Sequence, residues 1–75
     1  QIKALSDKDL RLAINEIYAR HGYAFTTKEM QDYYGKLDWY ENLNKTQEEV
    51  NAELTTIEYQ NKEMLTKERD SRGKS

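Results

Sequence analysis

Apolar residues recur every three or four positions in the first part of the chain, which is typical of an amphipathic helix with one buried side. Gly22 follows this pattern, and a glycine just after a helix ends it because glycine adopts left-handed backbone angles without steric cost. We therefore predict a first helix over about 7–21. Its core-facing residues are Leu10, Ala13, Ile14, Ile17, Tyr18 and His21.

A second, shorter helix is predicted over about 27–34, where Gly35 ends it. A helix this short depends on tertiary packing, because isolated helices of this length are marginal in water. The next residues, 37–40, form an irregular aromatic connector, in which Leu37 and Trp39 are expected to close one end of the core. The apolar residues of the second helix are Met30, Tyr33 and Tyr34.

A repeated pattern indicates where helices begin. In each case a Ser or Thr precedes an acidic residue by three positions. This is the spacing of a capping box, in which the hydroxyl accepts the amide hydrogen of the third helical residue and the acid accepts that of the cap. The pairs are Ser6 with Asp9, Thr26 with Glu29 and Thr55 with Glu58, and Thr46 with Glu49 is a further one.

Two interpretations fit the C-terminal third of the chain. A single helix over about 47–68 would satisfy one apolar stripe, whereas a break before Thr55 would satisfy its capping box. We favour the break, with a short helical piece near 47–51 and a helix over about 56–69. The stripe consists of Val50, Leu54, Ile57, Met64 and Leu65, with Asn61 as a polar interruption.

The elements together predict an all-α fold with three main helices, a short extra helical piece and an aromatic connector. We expect residues 1–4 to be a linker, 5–69 to form the domain, and 70–75 to be a disordered polar tail. The chain has 75 residues and no cysteine, so neither a disulfide nor a zinc–thiolate site can stabilise it. Helix packing and the burial of its eight aromatic residues must supply the stability instead.

The charge pattern narrows the classes of partner. Twelve basic and fourteen acidic residues are interspersed and give a net charge of −2, which argues against nucleic acid. No apolar run approaches the roughly 20 residues that a membrane span needs, so we expect no membrane insertion. In isolation the chain is expected to be a monomer.

His21 and Arg20 are the candidate chemical groups. His21 could serve as a general base beside Glu16 or Asp38, but no cysteine or Gly-flanked serine supplies a nucleophile, and one histidine is a poor zinc site. Arg20 could bind an anion, or could tie the first helix to Asp38 or Glu58. We favour structural roles for both, and predict no catalytic residue, metal or cofactor.

The aromatic residues have two interpretations. Most small domains bury such rings as core, but exposed Tyr and Trp side chains are enriched at binding hot spots. Seven rings exceed the evident needs of a short helical core, and we select Tyr40 and Tyr59 as candidate exposed binding residues, together with Arg20 and His21. The seven are Tyr23, Phe25, Tyr33, Tyr34, Trp39, Tyr40 and Tyr59.

The segment Tyr18-Ala19-Arg20-His21-Gly22 resembles the signature of the YARHG domain family. The likeness extends over most of residues 5–69. It includes the lead-in from Leu10 to Ile17, the later Tyr33-Tyr34 and Trp39-Tyr40 pairs, and Ile57-Glu58 with Asn61. The chain departs from the family in having Tyr33-Tyr34 where Tyr-Phe is common, and no proline after Trp39-Tyr40.

The resemblance implies an extracellular or cell-surface bacterial module, appended to lipoproteins, peptidases or membrane kinases, with no known catalytic residue or ligand. We therefore expect a non-catalytic cell-envelope module that binds a cell-wall or protein partner. The alternatives are a structural spacer and a hydrolase accessory site using His21. The expected structural cluster comprises Tyr18, Arg20, His21, Gly22, Phe25, Trp39 and Glu58.

Overall fold

The fold is all-α, as predicted, in a computed structural model that describes residues 2–73. The described part begins with a short 3-10 helix, and the only β feature among these residues is an isolated bridge between Tyr23 and Lys45. Gln1 of the predicted linker and residues 74–75 of the predicted tail lie outside the described range. The elements are a 3-10 helix at Ile2–Ala4, α1 Asp7–Ala19, α2 Lys28–Gly35, α3 Gln47–Glu53 and α4 Thr56–Ser71.

The break between α3 and α4 lies where the capping box predicts it. The amide of Glu58 donates to Thr55 Oγ1 at 3.1 Å, and the amide of Thr55 donates to Glu58 Oε1 at 2.9 Å. The same reciprocal pair, Thr46 with Glu49, begins α3. These bonds satisfy amides that a new helix leaves without partners, so two helices replace the single continuous one.

The second helix begins one residue later than its predicted capping box. Thr27, rather than Thr26, is the cap, and its hydroxyl accepts the Met30 amide at 3.4 Å. This register places Met30 and Tyr34 one turn apart on the buried side of α2. The cap is therefore a residue whose third following position is Met30 and not an acid.

The described residues form two compact units. Unit 1 contains the chain up to Ile17 and from Leu54 onward, and unit 2 contains Tyr18–Glu53. The core of unit 1 is a small aliphatic cluster of Leu10, Ile14 and Leu65, against which Ile2, Leu5, Ala13 and Ile17 are partly buried.

Two expectations for unit 1 need correction. The predicted linker at residues 1–4 contains a 3-10 helix, whose Ile2 packs against the aliphatic cluster. The predicted disordered tail begins within α4, which continues to Ser71. A polar sequence can be helical where side chains one turn apart form ion pairs, as Glu68 and Arg72 do at the end of α4.

The predicted apolar stripe of the last helix is only partly buried. Leu65 faces the aliphatic cluster, but Ile57 is 69% exposed and Met64 is 53% exposed. Ile57 and Met64 do not share the buried side of α4 with Leu65. The apolar stripe is broad, and a small core covers only part of it. Among residues 2–73, no helix combines the length and the apolar character needed to cross a membrane.

Unit 2 is built around aromatic rings rather than aliphatic side chains. Phe25 stacks on Tyr34 with ring centroids 4.7 Å apart, and Tyr23 meets Phe25 edge-on at 4.9 Å. Tyr34 is almost fully buried and contacts four neighbouring rings. The buried side chains of this unit are Tyr18, Ala19, Phe25, Met30, Tyr34 and Val50.

Candidate functional site

The end of α1 is a complete helix-termination motif. The amide of Tyr23 donates to the Tyr18 carbonyl at 3.3 Å, and the amide of Gly22 donates to the Ala19 carbonyl at 3.0 Å. This pair of bonds, around a residue with positive φ, defines the Schellman motif. The apolar contact that commonly accompanies it is also present, since the Tyr18 and Tyr23 rings meet edge-on at 5.6 Å.

Gly22 meets two separate demands. Its φ of +86° lies in the left-handed region that other residues rarely adopt. A Cβ built on it would also lie 2.6 Å from Leu43 Cγ, a distance that real atoms do not tolerate. Only glycine therefore lets Leu43 approach, and the Leu43 amide donates to the Gly22 carbonyl at 3.0 Å.

The residues after Leu43 also pair with the segment that follows Gly22. The Ala24 amide donates to the Lys45 carbonyl at 3.1 Å, beside the bridge between Tyr23 and Lys45. Asn44 adopts a φ of +61°, which asparagine tolerates better than most residues. The helix terminus and the loop that precedes α3 are thus held together by backbone bonds.

Two tyrosine hydroxyl groups fix this region further. The Tyr18 hydroxyl donates to Asn51 Oδ1 on α3 at 2.8 Å. The Tyr40 hydroxyl donates to the Tyr23 carbonyl, and burial raises the pKa of that hydroxyl above its ordinary value of 10.0. Tyr40, which we expected to be exposed, is half-buried because of this bond and its contacts with Phe25 and Tyr34.

His21 lies beside a carboxylate that the sequence did not suggest. Its Nδ1 is 3.4 Å from Glu53 Oε1, and Lys45 Nζ is 2.7 Å from the same oxygen. Lys45 in particular holds the pKa of the Glu53 carboxyl below its ordinary value, with a smaller contribution from His21. Glu53 is the last residue of α3 and far from His21 in sequence, so no local spacing points to it.

Arg20 is exposed and lies over the ring of Trp39, with the guanidinium carbon 4.4 Å from the ring centroid. The expected acceptor Glu58 belongs to unit 1, where its carboxylate caps α4. The contact with Trp39 was not predicted, because sequence spacing alone does not reveal an aromatic face that the fold brings close.

Trp39 is 41% exposed, which corrects the expectation that it closes the core. Tyr34 fills that place, and Trp39 meets it only edge-on, with centroids 6.2 Å apart. Tyr33 is also exposed and meets the Tyr34 ring at 4.9 Å. Arg20 lies over Trp39, and Tyr33 and Trp39 both contact the ring of Tyr34, so we refer to Arg20, Tyr33 and Trp39 as the aromatic surface of unit 2.

Tyr59, the other ring that we expected to be exposed, lies in unit 1 and is 51% exposed. Lys62 Nζ is 4.9 Å from its ring centroid. In the described part of the chain, no group of three or more His, Cys, Asp or Glu side chains is placed to hold a metal ion.

Comparison with protein families decides the relationship. The sequence profile described as the YARHG domain matches residues 1–69. The chain belongs to the YARHG domain family. No curated protein and no solved structure matches the chain.

The signature of this YARHG domain coincides with the helix terminator. Tyr18 and Ala19 supply the accepting carbonyls, and Gly22 supplies the left-handed residue. Arg20 and His21 lie between them and direct their side chains to Trp39 and Glu53. The five residues therefore specify how one helix ends and which segments pack against that end.

Replacing Gly22 by alanine should strongly destabilise unit 2. The left-handed backbone and the overpacking against Leu43 together should cost at least about 2 kcal/mol in the free energy of unfolding. Gly35→Ala is the matched control, because nothing lies within 4 Å of its Cβ position and its φ is not positive. It should be neutral or stabilising. Urea denaturation measures both, and equal stabilities would contradict this account of the turn.

The carboxylate of Glu53 should make stability depend on acid pH. Its folded-state pKa lies below the ordinary value of 4.5, so its contribution is complete above that pH and is lost as the pH falls through the lowered pKa. The difference in Tm between the parent and Glu53→Gln should therefore shrink between about pH 5 and pH 3. Glu41→Gln, at an exposed position of the same unit, is the control. A gap that stays constant with pH would argue against the ion pair.

Proposed function

We propose that this YARHG domain is a non-catalytic binding module of a larger exported bacterial protein, and that it recognises cell-wall glycan and its attached peptide. The observation that carries the proposal is the exposed indole of Trp39 beside the guanidinium of Arg20. Aromatic faces stack on sugar rings, and a guanidinium pairs with carboxylates such as those of cell-wall peptides.

The exposed part of the Trp39 ring gives up burial energy in the free protein, and a binding role would explain why. A large ring that remains two-fifths exposed forgoes on the order of 2 kcal/mol of burial energy. The core of unit 2 does not need the indole, since Phe25 and Tyr34 are buried and stacked without it. Trp and Arg are also the residue types most enriched at binding hot spots, which supports an interaction role for the pair.

The surroundings of His21 support a non-catalytic role. The imidazole is mostly buried, and its neighbouring carboxylate is shared with the Lys45 ammonium group. A histidine that takes up protons during catalysis also needs a reacting group within hydrogen-bond reach. The chain contains no cysteine, and these contacts give the imidazole a structural task at the end of α1.

The geometry of unit 1 disfavours the alternative of a spacer. Arg72 Nη2 lies 3.3 Å from the carbonyl oxygen of Ile2, so the two ends of the described chain lie side by side. A stalk separates the segments that flank it, whereas this arrangement would bring them together. An export-linked location is usual for the family and supports a cell-envelope ligand.

Titration with soluble peptidoglycan fragments tests the proposal, because Trp39 is the single tryptophan and its fluorescence reports on the aromatic surface alone. We expect a saturable change in emission, and NMR shifts at Arg20, Tyr33 and Trp39. Tyr33→Ala should weaken binding about tenfold or more, as expected of a hot-spot ring. Tyr59→Ala, an exposed ring in unit 1, is the control.

The outcomes separate the candidate functions. Binding that survives loss of Tyr33 and Trp39 but not of Tyr59 would move the site to unit 1 and refute the aromatic surface. Absence of any shift with glycan fragments, accompanied by shifts at the same residues with a purified envelope protein, would replace the ligand class. No response to either would leave the spacer as the better account.

A further inference from the structure

The Arg72 guanidinium contacts four acceptors in unit 1. Its Nε donates to Glu68 Oε2 at 2.7 Å, and its Nη1 donates to Asp7 Oδ1 at 3.0 Å. Its Nη2 lies 3.3 Å from the carbonyl oxygens of both Ile2 and Lys3. One guanidinium thus joins three segments: the 3-10 helix, the first residue of α1 and the last turns of α4.

The geometry uses the forked shape of the guanidinium. Four acceptors in different directions need several donors in fixed positions, which arginine provides and a lysine ammonium group on a flexible stem does not. The Arg72 side chain is only 18% exposed, so these bonds are partly shielded from water. Lys3 Nζ reaches the other Glu68 oxygen at 3.6 Å and adds to the connection between the two ends.

We propose that Arg72 is a C-terminal strap that holds the 3-10 helix onto unit 1, so that the folded domain extends through residue 72 instead of ending at residue 69. The family match stops at 69, and residues 70–72 lie beyond it. The strap keeps Ile2 and Leu5 packed over the aliphatic cluster of Leu10, Ile14 and Leu65. Its release would uncover that cluster.

The pKa values of Glu68 and Arg72 shift in the directions that their ion pairs predict. Hydrogen bonding to Arg72 lowers the pKa of the Glu68 carboxyl, and the same bond, followed by that to Asp7, raises the pKa of the guanidinium. Glu68 is one turn from Arg72 on the same helix, so that pair alone would stabilise only α4. The contacts with Asp7 and the two carbonyl oxygens connect the ends.

Amide exchange in the full chain tests the strap. The Leu5 amide donates to the Ile2 carbonyl at 3.1 Å and reports on the 3-10 helix directly. In Arg72→Ala we expect its exchange to accelerate about tenfold or more, with a fall in Tm on the order of 4–8 °C. Arg69→Ala is the matched control, since Arg69 contacts only its neighbour Asp70 among the ion pairs described. It should behave like the parent.

A second variant keeps the test decisive if Arg72→Ala fails to fold. Asp7→Asn removes one acceptor charge without changing shape, and it should also accelerate exchange of the Leu5 amide. In the Arg72→Lys background, where the fork is lost, Asp7→Asn should have a much smaller effect, because the two changes act on one interaction. Additive effects, or unchanged Leu5 exchange in both single variants, would overturn the proposal.

Discussion

The left-handed turn at Gly22 is the constraint on which unit 2 depends. A hydrogen atom in place of a side chain allows two things in one residue: the backbone reverses at the end of α1, and Leu43 comes into contact with it. The turn aims Tyr23 back at Tyr18 and aligns Ala24 with the Lys45 carbonyl. From there the aromatic series continues through Phe25 to Tyr34, so the position of the buried rings follows from this one backbone conformation.

Stability in so short a chain rests heavily on the ends of its helices. With no disulfide and only small cores, each unsatisfied amide or carbonyl group would be a large fraction of the net stability. Reciprocal side-chain caps begin α3 and α4, and a Schellman turn ends α1. In unit 1, Arg72 bonds to Asp7 and to the carbonyl oxygens of the 3-10 helix. No buried side-chain polar atom among the described residues lacks a hydrogen-bond partner.

Local chemistry predicts much of this structure. The helix pattern, the glycine stop and the break before Thr55 all depend on residues within one or two turns of each other, and a linear sequence contains that information. What depends on contacts across the fold could not be predicted. Local spacing favoured Thr26 with Glu29, whereas Thr27 is the cap, and Glu53 reaches His21 only because α3 returns to the end of α1.

Exposure was the least predictable property of the candidate site. Trp39 and Ile57 have side chains typical of a core, but both remain exposed, because Tyr34 and Leu65 occupy the buried positions in their units. Native-state amide exchange of the unmodified chain tests the central claim most directly. The amides of Tyr23, Ala24 and Leu43 should exchange together, as slowly as the most protected amides of unit 2. Fast, independent exchange at these three positions, with α1 still protected, would contradict the claim that the turn organises the unit.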